Sequence, residues 1–246
     1  MKRLTCLVLA CLLALSLAAC GAPETETLDI FAMDTYMSLV AIGDGGAEVL
    51  QSCSARINAL EQKLSRTIET SDVSRLNADG SALLDADTAA LLDAALQYSA
   101  ETNGAFDVTI APLVALWGIT TDSPRVPSQE EIDALLPLVG SEHVRLSGAT
   151  AALDEGCAID LGGIGKGYAS DETAELFSES GISGGFVSLG GNVYVHGVTA
   201  EGKPWNVAVQ DPRNTENYAC TLRLTDAFVV TSGGYQRNFT APDGTE

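Results

Sequence analysis

Apolar residues recur at helical spacing through the first two thirds of the chain and alternate at strand spacing through the last third. This segregation narrows the fold more than any other feature. Residues 47–64 place Val49, Leu50, Cys53, Ile57, Leu60 and Leu64 on one helical stripe, which needs a second layer to cover it. Thr35–Ile42 alternates like a strand, and β-like runs cluster late at residues 185–195, 205–210, 219–224 and 227–231. A second helix is expected from a cap at Asp87 or Thr88, through Leu91, Leu92, Ala95 and Leu96 to Tyr98, ending near Asn103-Gly104. Ser128-Gln129-Glu130-Glu131 spells a capping box before Ile132, Leu135 and Leu136. Helices and strands do not alternate one by one, so α+β is expected rather than a doubly wound parallel sheet. Apolar residues at 46% suffice for a sizeable core, and no long linker or solenoid-period repeat divides the chain.

The start of the chain has a different character. Lys2 and Arg3 precede an apolar run over residues 4–17, too short to cross a hydrocarbon core of ~30 Å and typical of a secretory signal. It ends in Leu17-Ala18-Ala19-Cys20-Gly21, which resembles a bacterial lipobox, although an ordinary signal cut after Ala19 has similar small residues. The expected layout is a lipoprotein signal over residues 1–19, lipid on Cys20, an acidic tether to residue 27, and one domain over residues 28–246. The protein would then be anchored by lipid to the outward face of a cell membrane. Thirteen lysines and arginines face 33 aspartates and glutamates, a formal charge of −20 that argues against nucleic-acid partners and against a basic membrane-binding face. Cys53, Cys157 and Cys220 remain after the signal, an odd number without a C-x-x-C pair. Core packing is expected for all three, with one disulfide open.

Two spellings mimic catalytic motifs. Gly181-Ile182-Ser183-Gly184-Gly185 reads G-x-S-x-G, but a nucleophile elbow needs strand-turn-helix order, and here a helix precedes a strand. Ser183 is therefore expected to be a turn residue. Gly162-Gly163-Ile164-Gly165-Lys166-Gly167 lacks the early glycine and the Ser/Thr of a P-loop, and it misses the dinucleotide fingerprint as well. His143 and His196, the only histidines, have no carboxylate at zinc-ligand spacing. The glycine-rich turn at residues 162–167 leads into a helix that stops at Gly181. Its backbone amides and the helix start could cradle a pyrophosphate, with Asp160 before it and Lys166 within it; a tight turn with packing glycines remains the alternative.

Around this turn, Ala158-Ile159-Asp160-Leu161-Gly162-Gly163-Ile164-Gly165-Lys166-Gly167-Tyr168-Ala169 resembles the signature of the ApbE family, the FAD:protein FMN transferases. Further blocks follow in family order: Met33-Asp34-Thr35; Leu64-Ser65 with Ser71 and Ser74-Arg75-Leu76-Asn77; and Gly104-Ala105-Phe106-Asp107-Val108-Thr109 with Pro112-Leu113-Val114 and Leu116-Trp117-Gly118. Val187-Ser188-Leu189-Gly190-Gly191-Asn192, then Trp205-Asn206-Val207-Ala208-Val209-Gln210-Asp211-Pro212, and Thr231-Ser232-Gly233 complete them.

The resemblance implies a single ApbE-type (T-fold-like) α+β domain with helices packed on a largely antiparallel sheet. It implies an enzyme that uses Mg²⁺, splits FAD, places FMN on a threonine or serine of an acceptor subunit in a membrane or exported flavin electron-transfer system, and releases AMP. An FAD pyrophosphatase and a non-catalytic flavin-binding lipoprotein are the alternatives. By position, Met33, Ala105, Phe106, Asp107, Asp160, Lys166, Thr231, Ser232 and Gly233 would contact FAD, and the Gly163 carbonyl would meet Mg²⁺. Asp34 stands where the family has glycine, and Thr67 where many members have a tyrosine against the flavin. The family's catalytic histidine and most side-chain metal ligands would fall after Glu246. Residues 20–246 alone are thus expected to form little FMN–protein bond and to show an exposed edge beside the strands at residues 205–210 and 227–231.

Overall fold

The computed structural model describes residues 23–119, 121–233 and 239–240. The signal segment and Cys20 lie outside the described residues. No helix among the described residues is long and apolar enough to cross a membrane.

A five-stranded antiparallel sheet forms the centre. It contains β1 (Thr25–Ala32), β2 (Thr35–Ile42), β6 (Gly184–Leu189), β7 (Asn192–Gly197) and β10 (Ala227–Val230), in the spatial order β1-β2-β6-β7-β10. Register follows the side-chain alternation: Leu28 pairs with Leu39, Leu39 with Val187, and Val187 with Tyr194, so one apolar row crosses the sheet. Two long helices cover that face, α1 (Gly46–Leu64) and α6 (Gly165–Ser180), packed on each other and on the strands. The predicted stripe is what α1 buries: Val49, Leu50, Cys53, Ile57, Leu60 and Leu64. At the far edge the apolar row ends uncovered, with Phe228 46% and Val230 63% exposed on β10.

Shorter elements surround this core. The helices α2 (Asp72–Asp79), α3 (Ala86–Glu101), α4 (Ala111–Trp117) and α5 (Gln129–Leu135) adjoin a small sheet. That sheet is ordered β3 (Ser81–Leu83), β5 (Thr150–Leu153), β4 (Val144–Ser147). The hairpin of β8 (Trp205–Asp211) and β9 (Asn214–Leu224) forms a separate two-stranded sheet. Trp205 sets it against the central sheet, with its ring edge-on to Phe186 and its indole N–H donating to the His196 carbonyl at 2.9 Å. The capping box forms as expected, with Ser128 and Glu131 bonding reciprocally.

Four expectations need correction. The domain starts earlier than residue 28, because β1 begins at Thr25 within the segment read as tether and pairs with Ile42. The cap of α3 is Asp85, whose carboxylate accepts from the Asp87 N–H at 3.0 Å, and Asp87 itself turns elsewhere. The run at residues 185–195 is two strands, since Gly190 and Gly191 adopt positive φ and reverse the chain. The three cysteines are free; burial pushes the Cys53 thiol up to about 12, but Cys220 is exposed on β9 rather than packed in the core.

Candidate active site

A cleft of about 600 Å³ opens where three segments meet: the β1–β2 turn, the C-terminal end of α1, and the glycine-rich start of α6. Its volume suits a small-molecule ligand.

The β1–β2 connection has two residues, between the paired Ala32 and Thr35. Met33 and Asp34 both take left-handed backbone, with φ of 48° and 60°, as a tight primed turn requires. Asp is among the few non-glycine residues that tolerate this region, so Asp34 suits the turn. Met33 does not belong to that group, and such strain persists only where the surroundings hold it. The Met33 N–H donates to Oε1 of Glu61 on α1 at 2.7 Å, pinning the turn to the helix.

At the end of α1 the chain leaves through Ser65, Arg66 and Thr67. The Ser65 hydroxyl accepts from the amides of Thr67 and Ile68 at 3.1 and 3.2 Å. Its carbonyl accepts from the Ser71 hydroxyl, whose oxygen also caps α2 through the Ser74 N–H. The serines of this block therefore shape one wall of the cleft.

The opposite wall is the glycine loop. Asn77 fixes its entry as a strand partner would: its side-chain amide donates to the Ile159 carbonyl at 2.8 Å and accepts from the Ile159 N–H at 2.7 Å. Asp160 follows. Its N–H donates to the Val108 carbonyl at 2.8 Å, Oδ1 accepts from the Gly162 N–H at 2.7 Å, and Oδ2 lies 3.0 Å from Nε of Arg66. One carboxylate thus closes the loop and joins it to the α1 wall. A Cβ on Gly162 would meet Asp160 Oδ1 at 2.9 Å, so this turn has little room for a larger residue. Helix α6 then begins at Gly165, and Lys166 lines the cleft.

Behind the cleft, an ion-pair network holds α1, α3 and α6 together. Arg56 grips Asp87 with both terminal nitrogens, at 2.7 and 2.6 Å, and reaches Glu172 with Nε at 2.7 Å. Lys63 bonds Asp85 and Asp87, and the Tyr168 hydroxyl donates to Asp87 at 3.2 Å. The Arg56 guanidinium holds the Asp87 carboxyl well below the usual carboxylate range, while burial pushes the Tyr168 hydroxyl up to about 12. A depressed carboxyl contributes stability in full above its unfolded value of about 4 and loses it as pH falls toward the folded value. Asp87→Asn should therefore cost about 1–3 kcal/mol at pH 7. The gap from wild type should narrow steadily below about pH 4. Urea melts at pH 7 and pH 3 check this, and a gap independent of pH would contradict it.

Of the residues expected at the site, Met33, Asp160 and Lys166 line this cleft. Gly163 does not line it and faces Phe106, whose Cε2 lies 3.2 Å from the position of a Cβ on that glycine. Asp107 is turned to local work: it accepts from the Thr109 N–H and hydroxyl at 2.8 and 2.6 Å, and borders a second hollow of about 400 Å³ with Ser99, Asn103 and Glu142. Ala105 precedes it and lies outside the lining of both hollows. Thr231, Ser232 and Gly233 are exposed beyond β10. The Thr231 N–H donates to Gly191 at 3.1 Å, and Gly190 abuts Thr35, so this segment shares the sheet end with the Met33 turn without lining the cleft. Glu61, Arg66 and Asn77 were not singled out by sequence. Asn77 lay within a family block, but neither Glu61 nor Arg66 has a spacing signal.

The decoys resolve as turns and strand ends. Ser183 links α6 to β6 and bonds the Ile42 carbonyl through both its N–H and its hydroxyl, each at 2.9 Å. His143 pairs with Asp154 and His196 with Asp226, neither at the cleft. No group of three His, Cys, Asp or Glu side chains placed to hold a metal occurs among the described residues.

Comparison with known proteins agrees with this geometry. A sequence model described as the ApbE family matches residues 33–246. The Escherichia coli (strain K12) protein named FAD:protein FMN transferase is 32% identical over 209 residues, covering 80% of this chain and 59% of its own. The Salmonella typhimurium protein of the same name is 29% identical over 265 residues, covering 99% and 76%. The chain thus spans about three fifths of the Escherichia coli relative. The crystal structure of the ApbE protein from Thermotoga maritima superposes with a TM-score of 0.84 at 32% identity, over 90% of this chain and 74% of that one. The flavin transferase ApbE from Vibrio cholerae gives 0.77 at 26% identity, over 88% and 74%. With its α+β architecture, its glycine loop and its sequence all in agreement, the chain belongs to the ApbE family.

Proposed function

We propose that the protein is a FAD:protein FMN transferase. It would split the pyrophosphate of FAD, attach FMN to a threonine or serine hydroxyl of an exported or membrane redox protein, and release AMP. The observation that carries this reading is the closure of the glycine loop by Asp160 onto Arg66 in a cleft that also contains Lys166 and the start of α6. The names of the relatives support the same activity.

In the reaction, the acceptor hydroxyl gives up its proton to solvent and its oxygen bonds to the phosphorus of the FMN half as the bridging P–O bond breaks, and AMP leaves with the bridging oxygen. Lys166 and the amides opening α6 favour the negative charge of the pyrophosphate there. Asp160 keeps the loop in shape, and the Glu61-pinned Met33 turn bounds the other side. Ala105, Phe106, Asp107, Thr231, Ser232 and Gly233 would meet parts of FAD that extend past the cleft. Magnesium takes hard oxygen donors, often one or two carboxylates with substrate phosphates. Asp160 lines the cleft and Gly163 does not, so the described residues build no cage of their own, and an ion there would be shared with the substrate phosphates. When bound, the ion would neutralise phosphoryl charge.

Incubation of the full-length gene product with FAD, Mg²⁺ and a flavin-acceptor protein tests the reading. Fluorescent acceptor on a denaturing gel together with AMP is the expected result. Free FMN with unlabelled acceptor would point to a pyrophosphatase, and intact FAD to a binding protein. Membrane attachment would come from lipid on Cys20 at the end of its signal. Mass spectrometry of the mature N-terminus should find a multiply acylated cysteine, because one chain alone holds only marginally. An unmodified Cys20, or another first residue, would reject the anchor.

A further inference from the structure

We propose that Phe31 is the stacking residue of the cleft, holding a flat heteroaromatic ring of the dinucleotide at the mouth; this rests on the FAD reading above. Outward-facing positions of β1 are polar at Thr25, Thr27 and Asp29, and then comes Phe31, 71% exposed. Phe31 is the one aromatic among the described residues lining the cleft. Its cross-strand partner is Tyr36, 62% exposed, whose hydroxyl hydrogen-bonds Asp29.

A large ring left in water on an otherwise polar strand face forgoes the benefit of burial. Pairing with Tyr36 stiffens a hairpin but leaves the outer face of Phe31 open. The Met33 turn, two residues on, is pinned by Glu61, so the ring stands on fixed backbone and needs little ordering when a ligand arrives. The same cleft is lined by Gly162, Gly165 and Lys166, the phosphate-favouring segment. A molecule with phosphates joined to flat rings matches both features at once. Both the isoalloxazine and the adenine of FAD are flat rings of this kind.

Fluorescence titration tests this with the whole protein and FAD, and then with FMN and AMP as separate probes. Phe31→Ala should weaken FAD binding roughly 10-fold or more, as loss of ring stacking does elsewhere. Phe31→Trp should restore it, Phe31→Leu should not, and the melting temperatures should stay together. Weakening confined to FMN assigns the isoalloxazine, and weakening confined to AMP assigns the adenine; either supports the proposal. Equal FAD affinity of Phe31→Ala and wild type, or full rescue by leucine, overturns it while leaving the functional reading intact. Wild-type protein that binds no FAD overturns both.

Discussion

In the full-length gene product, Asp160→Ala should lower kcat/KM for FAD roughly 30- to 150-fold, the equivalent of about 2–3 kcal/mol for hydrogen bonds to a charged group. The substitution removes the acceptor that closes the loop on the Gly162 N–H and the bridge to Arg66, in a place where both side chains are largely shielded, at 17% and 22% exposure. Asp160→Asn should fall between, keeping an acceptor for the amide but losing the charge beside Arg66. Ser183→Ala is the control. It loses one hydroxyl bond to the Ile42 carbonyl, about 1 kcal/mol of stability. Turnover should stay near wild type, because Ser183 joins α6 to β6 away from the cleft. Steady-state assays of FAD cleavage separate the two substitutions. Loss of turnover in folded Ser183→Ala would restore the hydrolase reading.

Phe177→Ala should destabilise the domain by about 3–5 kcal/mol. Total stability is typically only about 5–15 kcal/mol, so this is a large part of it. Phe177 is fully buried on α6 and meets the rings of Tyr194 and His196 at centroid distances of 6.5 and 6.0 Å. Its ring also fills the space over Gly185, where a Cβ would come within 2.8 Å of it and 2.4 Å of the Val40 carbonyl oxygen. The glycine of β6 and the aromatic of α6 are thus complementary shapes that seat the helix on the sheet, and the first turn of that helix carries Lys166. A fall in melting temperature on the order of 10 °C is expected for a domain of this size. A fall of less than about 3 °C would show that the helix is seated by other contacts.

How legible these parts were depended on how many residues each used and on whether one face was buried. The α1 stripe spans nineteen residues with a wholly buried side, so its period stands out. The helix at the glycine loop was legible from its two ends, the glycines before it and Gly181 after it. By contrast, β1 is an edge strand whose first residues, Thr25, Glu26 and Thr27, are polar and partly solvated, and they resemble a tether until Ile42 is seen opposite. The strands β3, β4 and β5 have three or four residues, too few to display alternation. Helix α2 is held at its start by Ser71, with Asp72 buried beneath and accepting from the Asp85 N–H and the Thr88 hydroxyl, a long-range arrangement without sequence period.

At the site, chemistry carried by a local run was legible, and chemistry assembled across the chain was not. Asp160 and Lys166 lie in one glycine-rich turn. Glu61 acts on Met33 across 28 positions and Asn77 on Ile159 across 82, with no spacing rule to join them. Asp107 stands in a distinctive local block, and its carboxylate caps the turn at Thr109 two residues on.

Hydrogen exchange with and without FAD tests the central claim most directly, that this cleft is the dinucleotide site. Addition of FAD should slow exchange at residues 32–35, 61–67 and 160–167 together, because those segments form its walls. Protection confined to the hollow beside Asp107 and Glu142, or to the turn at Ser183, would contradict it.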